Sequence, residues 1–251
     1  MTSVTFATSC WERDWDILLR TKFLQNKIER NAYDFAKKTL IINNVNNRVK
    51  VEKYAKEAVD KGVISDYFFV EDYIDEALEH FELTKEALGK GYNYSNHELA
   101  SIYLCQTDYL LFYTGDTWLD KKVAWVQSAV AEFEKNSEYK VANLIWNYKC
   151  DDAKMEASSE LENFYVGFGF SDQCFLVRTT DFKAPIYNEV NPDSERYPKY
   201  GGETFEKRVD SWMRNHKYLR LTFKHGSYLH EDFPTNEYLK KIQIKTGKYD
   251  K

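Results

Sequence analysis

Paired Cys-x-x-Cys motifs, a glycine-rich phosphate loop, basic tracts and long apolar runs are all missing from this chain. Each absence removes a class of function. The four cysteines, Cys10, Cys105, Cys150 and Cys174, are too widely spaced for a zinc ribbon or a redox pair. They read as reduced, largely buried thiols of a cytoplasmic protein. No stretch approaches the roughly 20 apolar residues of a membrane span. Met1 to Phe6 carry neither the basic nor the apolar segment of a secretory signal. The net charge of −5 argues against a general affinity for nucleic acid. There is no internal repeat and no break in composition that marks a linker, so 251 residues imply one domain with a large core.

What the chain has in plenty is aromatic residues, 16% of the total with 19 Tyr and 6 Trp. Such a surplus suits sugar faces and stacked bases as well as ordinary cores. Short apolar runs alternate with amphipathic helical patterns. Ser3 to Ser9, Thr39 to Asn44 and Tyr67 to Val70 read as strands that stop at polar residues, with helices between them, as over Val49 to Lys61. That alternation is the mark of an α/β fold with a mostly parallel central sheet flanked by helices. The most telling run is Asp108-Tyr-Leu-Leu-Phe-Tyr-Thr-Gly-Asp-Thr-Trp-Leu-Asp120. It is a buried-strand pattern that breaks at Gly115 and leaves Asp116 at the strand's end. In an open α/β sheet, ligands bind beyond the carboxyl ends of the strands.

This run resembles the central strand of GT-A glycosyltransferases, whose Asp-x-Asp motif binds a metal and the diphosphate of a nucleotide sugar. Asp116 takes the place of the motif's last carboxylate, and Thr114 stands where the first would be. The resemblance implies a single GT-A-like, Rossmann-like domain with a donor-binding half to about residue 120, an acceptor half over about 121–235 and a polar tail. It implies a transferase of the hexosyltransferase type for glycan biosynthesis, with a nucleotide-sugar donor and a glycan acceptor. Mn2+ or Mg2+ would be the cofactor. A non-catalytic carbohydrate- or nucleotide-binding relative on the same scaffold is the alternative, and the loss of the first Asp is its support. A nucleotidyltransferase would usually show a glycine-rich basic loop after the first strand, and Thr8 to Trp15 holds none.

On the same resemblance, Thr8, Ser9, Arg13, Asn44, Asp72, Asn96 and Asp116 are the donor-binding candidates. Ser9 and Asn96 would serve equally as helix caps, and His97 as a solvated first-turn residue. Asp116 with His230 or His225 is the candidate metal set, since carboxylate and imidazole both suit Mn2+. Asp151 to Glu162 reads as an irregular connection able to close over a donor. Phe164 to Arg178 reads as two strands around a glycine-containing turn, a hairpin or a sugar-stacking wall. There Phe168, Phe170 and Asp172 are the acceptor-binding candidates. Gly201-Gly202-Glu203 opens a helix with Phe205, Val209, Trp212 and Met213 on one face. In inverting GT-A enzymes an acidic residue at the matching helix start is the general base. Glu203 is the first choice for that role, Glu206 the second, and Asp172 a further candidate.

Overall fold

The computed structural model describes residues 2–197, 201–230 and 233–250. Strand and helix alternate through its first half: β1 (Val4–Cys10), α1 (Trp15–Arg20), α2 (Phe23–Glu29), β2 (Lys37–Ile42), α3 (Arg48–Asp60) and β3 (Asp66–Phe69). Then come α4 (Ile74–His80), α5 (Lys85–Leu88), α6 (Asn96–Leu104) and β4 (Tyr109–Tyr113). These four strands are parallel, in the order β3-β2-β1-β4. The crossover helices cover both faces. Val4, Phe6, Leu40, Leu111 and Tyr113 meet α1, α2 and α3 on one side. Ala7, Ile41, Leu110 and Phe112 meet α4 and α6 on the other. A strand covered on both faces must be apolar throughout, which is why Tyr109–Tyr113 reads as an unbroken run.

The second half comprises β5 (Thr117–Leu119), α7 (Val126–Lys135), β6 (Tyr139–Trp146), α8 (Cys150–Met155), β7 (Ala157–Glu160) and β8 (Phe164–Gly167). It continues with β9 (Cys174–Arg178), α9 (Thr179–Phe182), α10 (Phe205–Asn215), β10 (Leu219–His230) and α11 (Glu237–Lys245). The sheet extends as β4-β9-β6-β10-β8-β7, with β5 pairing the end of β10. β9 runs antiparallel to both β4 and β6, so the sheet is mixed rather than mostly parallel.

Several sequence expectations change here. Phe164 to Arg178 is not a hairpin: β8 pairs with β10 and β7, while β9 inserts between β4 and β6. Asp151 to Glu162 is ordered as α8 and the edge strand β7. The polar segment at the end is not a free tail. Lys240 of α11 is buried against Asp16 at 3.2 Å, and Tyr249 packs edge-on against Phe23. Cys10, Cys105 and Cys174 are buried free thiols, as expected, but Cys150 is exposed. Among the described residues, no helix is long and apolar enough to cross a membrane.

Candidate active site

The carboxyl ends of β1, β2, β4 and β6 open into one cleft of about 1080 Å3. Its floor is the turn after β4. Thr114 donates its N–H to Gln173 O at 3.0 Å, and Thr117 closes the turn onto Thr114 O at 3.2 Å. Gly115 is there because a side chain is not tolerated: a Cβ would lie 2.8 Å from Ser9 O and still closer to the Asp14 carboxylate. The turn is clamped from below by Lys27 of α2. Its buried ammonium donates to Thr8 Oγ1 (2.8 Å), Thr114 O (2.6 Å) and Gly115 O (3.1 Å). Burial pushes Lys27 down to about 7, and the charges of Asp116 and Asp14 act against that shift. Burial pushes the Asp14 carboxyl up to about 8, against the hydrogen bond it accepts from the Trp11 N–H, and the charge of Asp116 adds to the rise.

Asp116 emerges from this turn into the cleft, with Oδ2 3.3 Å from Nε2 of His230 at the end of β10. Burial works to raise its pKa. The hydrogen bond and charge of His230, with Lys27 and the Thr114 hydroxyl, outweigh it and hold Asp116 below the ordinary carboxylate value. Gln173 reaches the other ring nitrogen of His230 at 3.2 Å. Asp116 and His230, a carboxylate and an imidazole that together suit Mn2+ better than Mg2+, thus stand together. Among the described residues no group of three His, Cys, Asp or Glu could hold a metal alone, so further ligands would have to come from a diphosphate. His225 does not join them; it is exposed on the far part of β10, against Phe223.

The other candidates divide clearly. Ser9, Asn44, Phe170, Asp172 and Glu206 line the cleft. Asn44 is held at positive φ, with its N–H bonded to Glu71 at 2.8 Å. Thr8 is fully buried beneath the floor as an acceptor for Lys27. Asn96 sits one layer back, bonded to the cleft residue Asn43 at 2.9 Å, and Ser95 occupies the N-cap position of α6 instead. Arg13 is exposed over the Trp11 ring. Asp72 is exposed in an ion pair with Arg48. Neither lines the cleft. Phe168 faces the Arg214 guanidinium. The Phe170 ring packs among Phe175 and Phe205 and is core rather than a stacking wall. The exposed rings on the cleft are Trp11, Tyr94 and Trp146.

Glu203 lies outside the cleft lining. Thr204, not Glu203, caps α10, its hydroxyl accepting from Lys207 N–H. That leaves Glu203 before the cap, and Lys207 one turn on draws its carboxylate to 2.7 Å. Glu203→Gln is therefore expected to cost well under about 1 kcal/mol, as for a half-exposed ion pair. A melting curve of that variant coinciding with the parent's checks this.

Glu206, in the first turn of α10, does point into the cleft. The α10 start is pinned to the α6 start by the Phe205 N–H bond to Ser95 Oγ at 2.8 Å. This brings the carboxyl of Glu206 near His97 and Glu98, which also line the cleft. Asp172, ahead of β9, completes the group. Its loop is fixed by the Tyr197 hydroxyl, which donates to Phe170 O at 2.8 Å. Burial, reinforced by the charge of Glu98, pushes Asp172 up to about 7. Burial with the charges of Asp172 and Glu98 pushes Glu206 up to about 9. His97 is not solvated. Burial works to lower its pKa, but Glu98 at 2.9 Å raises it overall.

A pH dependence follows from these acids. The native state keeps protons on Asp172 and Glu206 that the unfolded chain loses near pH 4, so the native state binds more protons from there up to about pH 9. Stability contributed by this cluster is full below pH 4 and declines as pH rises through that window. Glu206→Gln removes the larger share, and denaturant unfolding at pH 8 should find the variant more stable by on the order of 1 kcal/mol, with a flatter pH profile.

No family model matches the chain. No curated protein matches it either. Solved structures do. The chain aligns over 92% of its length with 44% of GalNAc-T7, a structure containing UDP, GalNAc and Mn2+, at 12% identity and a TM-score of 0.56. It aligns over 99% of its length with 99% of a UDP-glucose pyrophosphorylase complexed with UDP-glucose, at 11% identity and a TM-score of 0.53. The fold is GT-A-like. The chain spans less than half of GalNAc-T7, and at these identities the likeness concerns architecture alone. In this GT-A-like fold the cleft occupies the carboxyl edge of the parallel strands, where such sheets bind ligands.

Proposed function

We propose that this chain is a nucleotide-sugar-dependent glycosyltransferase that moves a sugar to a hydroxyl of a glycan, with inversion. The observation that carries the reading is that the Asp116–His230 pair and the Asp172–Glu206 acids line one cleft. One pair suits a diphosphate with its metal, the other an attacking hydroxyl. The ligands of the two neighbours, UDP with Mn2+ in one and UDP-glucose in the other, support a uridine donor.

Asp172 is the general base in this reading. Burial and mutual repulsion raise both acids, so the pair holds a proton on one member while the other can accept one, and the charges of His97 and His230 favour the ionised form of Asp172. The acceptor oxygen attacks the anomeric carbon and passes its proton to Asp172. The carbon–oxygen bond to the diphosphate breaks in the same displacement, and the diphosphate leaves with the bonding pair. Mn2+ or Mg2+ would be held by Asp116 and His230 and, when bound, would offset the charge on the leaving diphosphate. Lys27 fixes the turn that presents Asp116. Protonated Glu206 orients the acceptor.

A panel of nucleotide sugars, incubated with the chain and Mn2+, tests the proposal. Release of the nucleoside diphosphate, faster with an acceptor sugar present, supports it. A rise in melting temperature with no release would instead identify a binding protein on the same scaffold.

A further inference from the structure

The deep corner of the cleft holds more acid than its neighbours neutralise. Glu98 is fully buried, and neither of its carboxylate oxygens makes a hydrogen bond. Among the described residues its one ion-pair partner is the His97 ring, at 2.9 Å. Asp172 and Glu206 border the same space from the loop before β9 and from α10. The nearby cations are engaged elsewhere: Arg220 holds Glu156 at 2.9 Å, Arg196 lies between Glu156 and the buried Asp210, and His230 pairs with Asp116. One imidazole facing three acids leaves the corner short of positive charge, and buried carboxylates are costly until something covers them.

The missing partner must be positive and must donate several hydrogen bonds in different directions. A bare metal ion does not fit, because no three acidic or imidazole side chains among the described residues could hold one. A hydroxyl donates only one hydrogen bond and carries no charge. An ammonium carries three donors on a compact charge. We propose that Glu98, Glu206 and Asp172 form a subsite for a protonated amine, so that the acceptor is an amino sugar with a free, unacetylated amine.

The term acceptor rests on the transferase reading; the amine subsite itself does not. Asp172 lines the same cleft, so a hydroxyl of the sugar whose amine is held there can share its carboxylate. Burial and mutual repulsion keep protons on Asp172 and Glu206 when the cleft is empty. An arriving ammonium reverses that balance and leaves Asp172 ionised, as a base must be. The other charged groups facing the corner are His97 on α6, Arg196 and Asp210 behind Glu206, and Asp116 with His230 toward the donor end.

Chemical-shift titrations of the whole chain at pH 7 with glucosamine, N-acetylglucosamine and glucose test this. Glucosamine should bind at least about tenfold more tightly than either of the others. Glu98→Gln should cut that preference to less than about threefold, and Glu206→Gln should do the same if the first variant does not fold. Equal affinities, including no detectable binding of any sugar, overturn the inference. So does a preference that survives substitution. Mn2+ alone broadening His97 rather than His230 would also overturn it, by making the corner a metal site. UDP titrated into the same sample separates the two claims. UDP binding without amine preference removes the subsite and leaves the transferase reading, and amine preference without UDP binding does the reverse.

Discussion

Replacing Asp172 by Asn is expected to lower sugar transfer by about 10²–10⁴, the range for loss of a general base, with nucleoside-diphosphate affinity unchanged. The substitution is nearly isosteric, and the loop that carries Asp172 is fixed by Tyr197 and Phe170 rather than by the carboxyl itself. Folding should therefore survive. It should even improve slightly at pH 8, because burial and the charge of Glu98 disfavour the ionised form in the empty cleft. That combination, slower chemistry in a protein no less stable, distinguishes a base from a structural acid. The pH–rate profile adds a second readout. Its acid limb in the parent should report a group near 7, and Asp172→Asn should abolish that limb. Transfer within threefold of the parent would move the base to Glu206.

Replacing Lys27 by Met should have the largest effect on stability. The change keeps the length of the side chain but removes the donor for Thr8 Oγ1, Thr114 O and Gly115 O. It also removes the one buried cation beneath Asp14 and Asp116. Breaking a buried charge network by deleting one partner costs about 3–5 kcal/mol. Denaturant unfolding at pH 6, where Lys27 is charged, measures it. A loss under about 1 kcal/mol would mean that the turn holds itself and that the clamp is incidental.

Asp116 was legible because a buried parallel strand announces its own end: five apolar and aromatic residues, a threonine, a glycine, then a carboxylate. Its partner His230 was legible only as one of two histidines, since the register that carries β10 back to β5, with His230 opposite Thr117, is a long-range pairing. Lys27 was invisible. It lies among polar residues of an amphipathic helix, and only the docking of α2 under the β4 turn turns it inward. His97 reads as an ordinary solvated first-turn residue and Glu98 beside it carries no signal of its own; the hydrogen bond between Ser95 and Phe205 pins α10 over them. Glu203 and Glu206 exchanged importance for a local reason. The helix starts at Phe205, so Glu203 stays before the Thr204 cap, drawn to Lys207, while Glu206 in the first turn lines the cleft.

Whether Asp116 faces a donor diphosphate is read from calorimetric titration of UDP into the parent and Asp116→Asn in Mn2+ and again in excess EDTA. Mn2+-dependent binding is expected in the parent and at least about 100-fold weaker binding in the variant, corresponding to about 2.7 kcal/mol. The melting temperature should fall only modestly, because Asn keeps the shape of the side chain but gives up the charge that faces His230 and Lys27. Equal UDP affinity in both proteins would contradict that placement of Asp116.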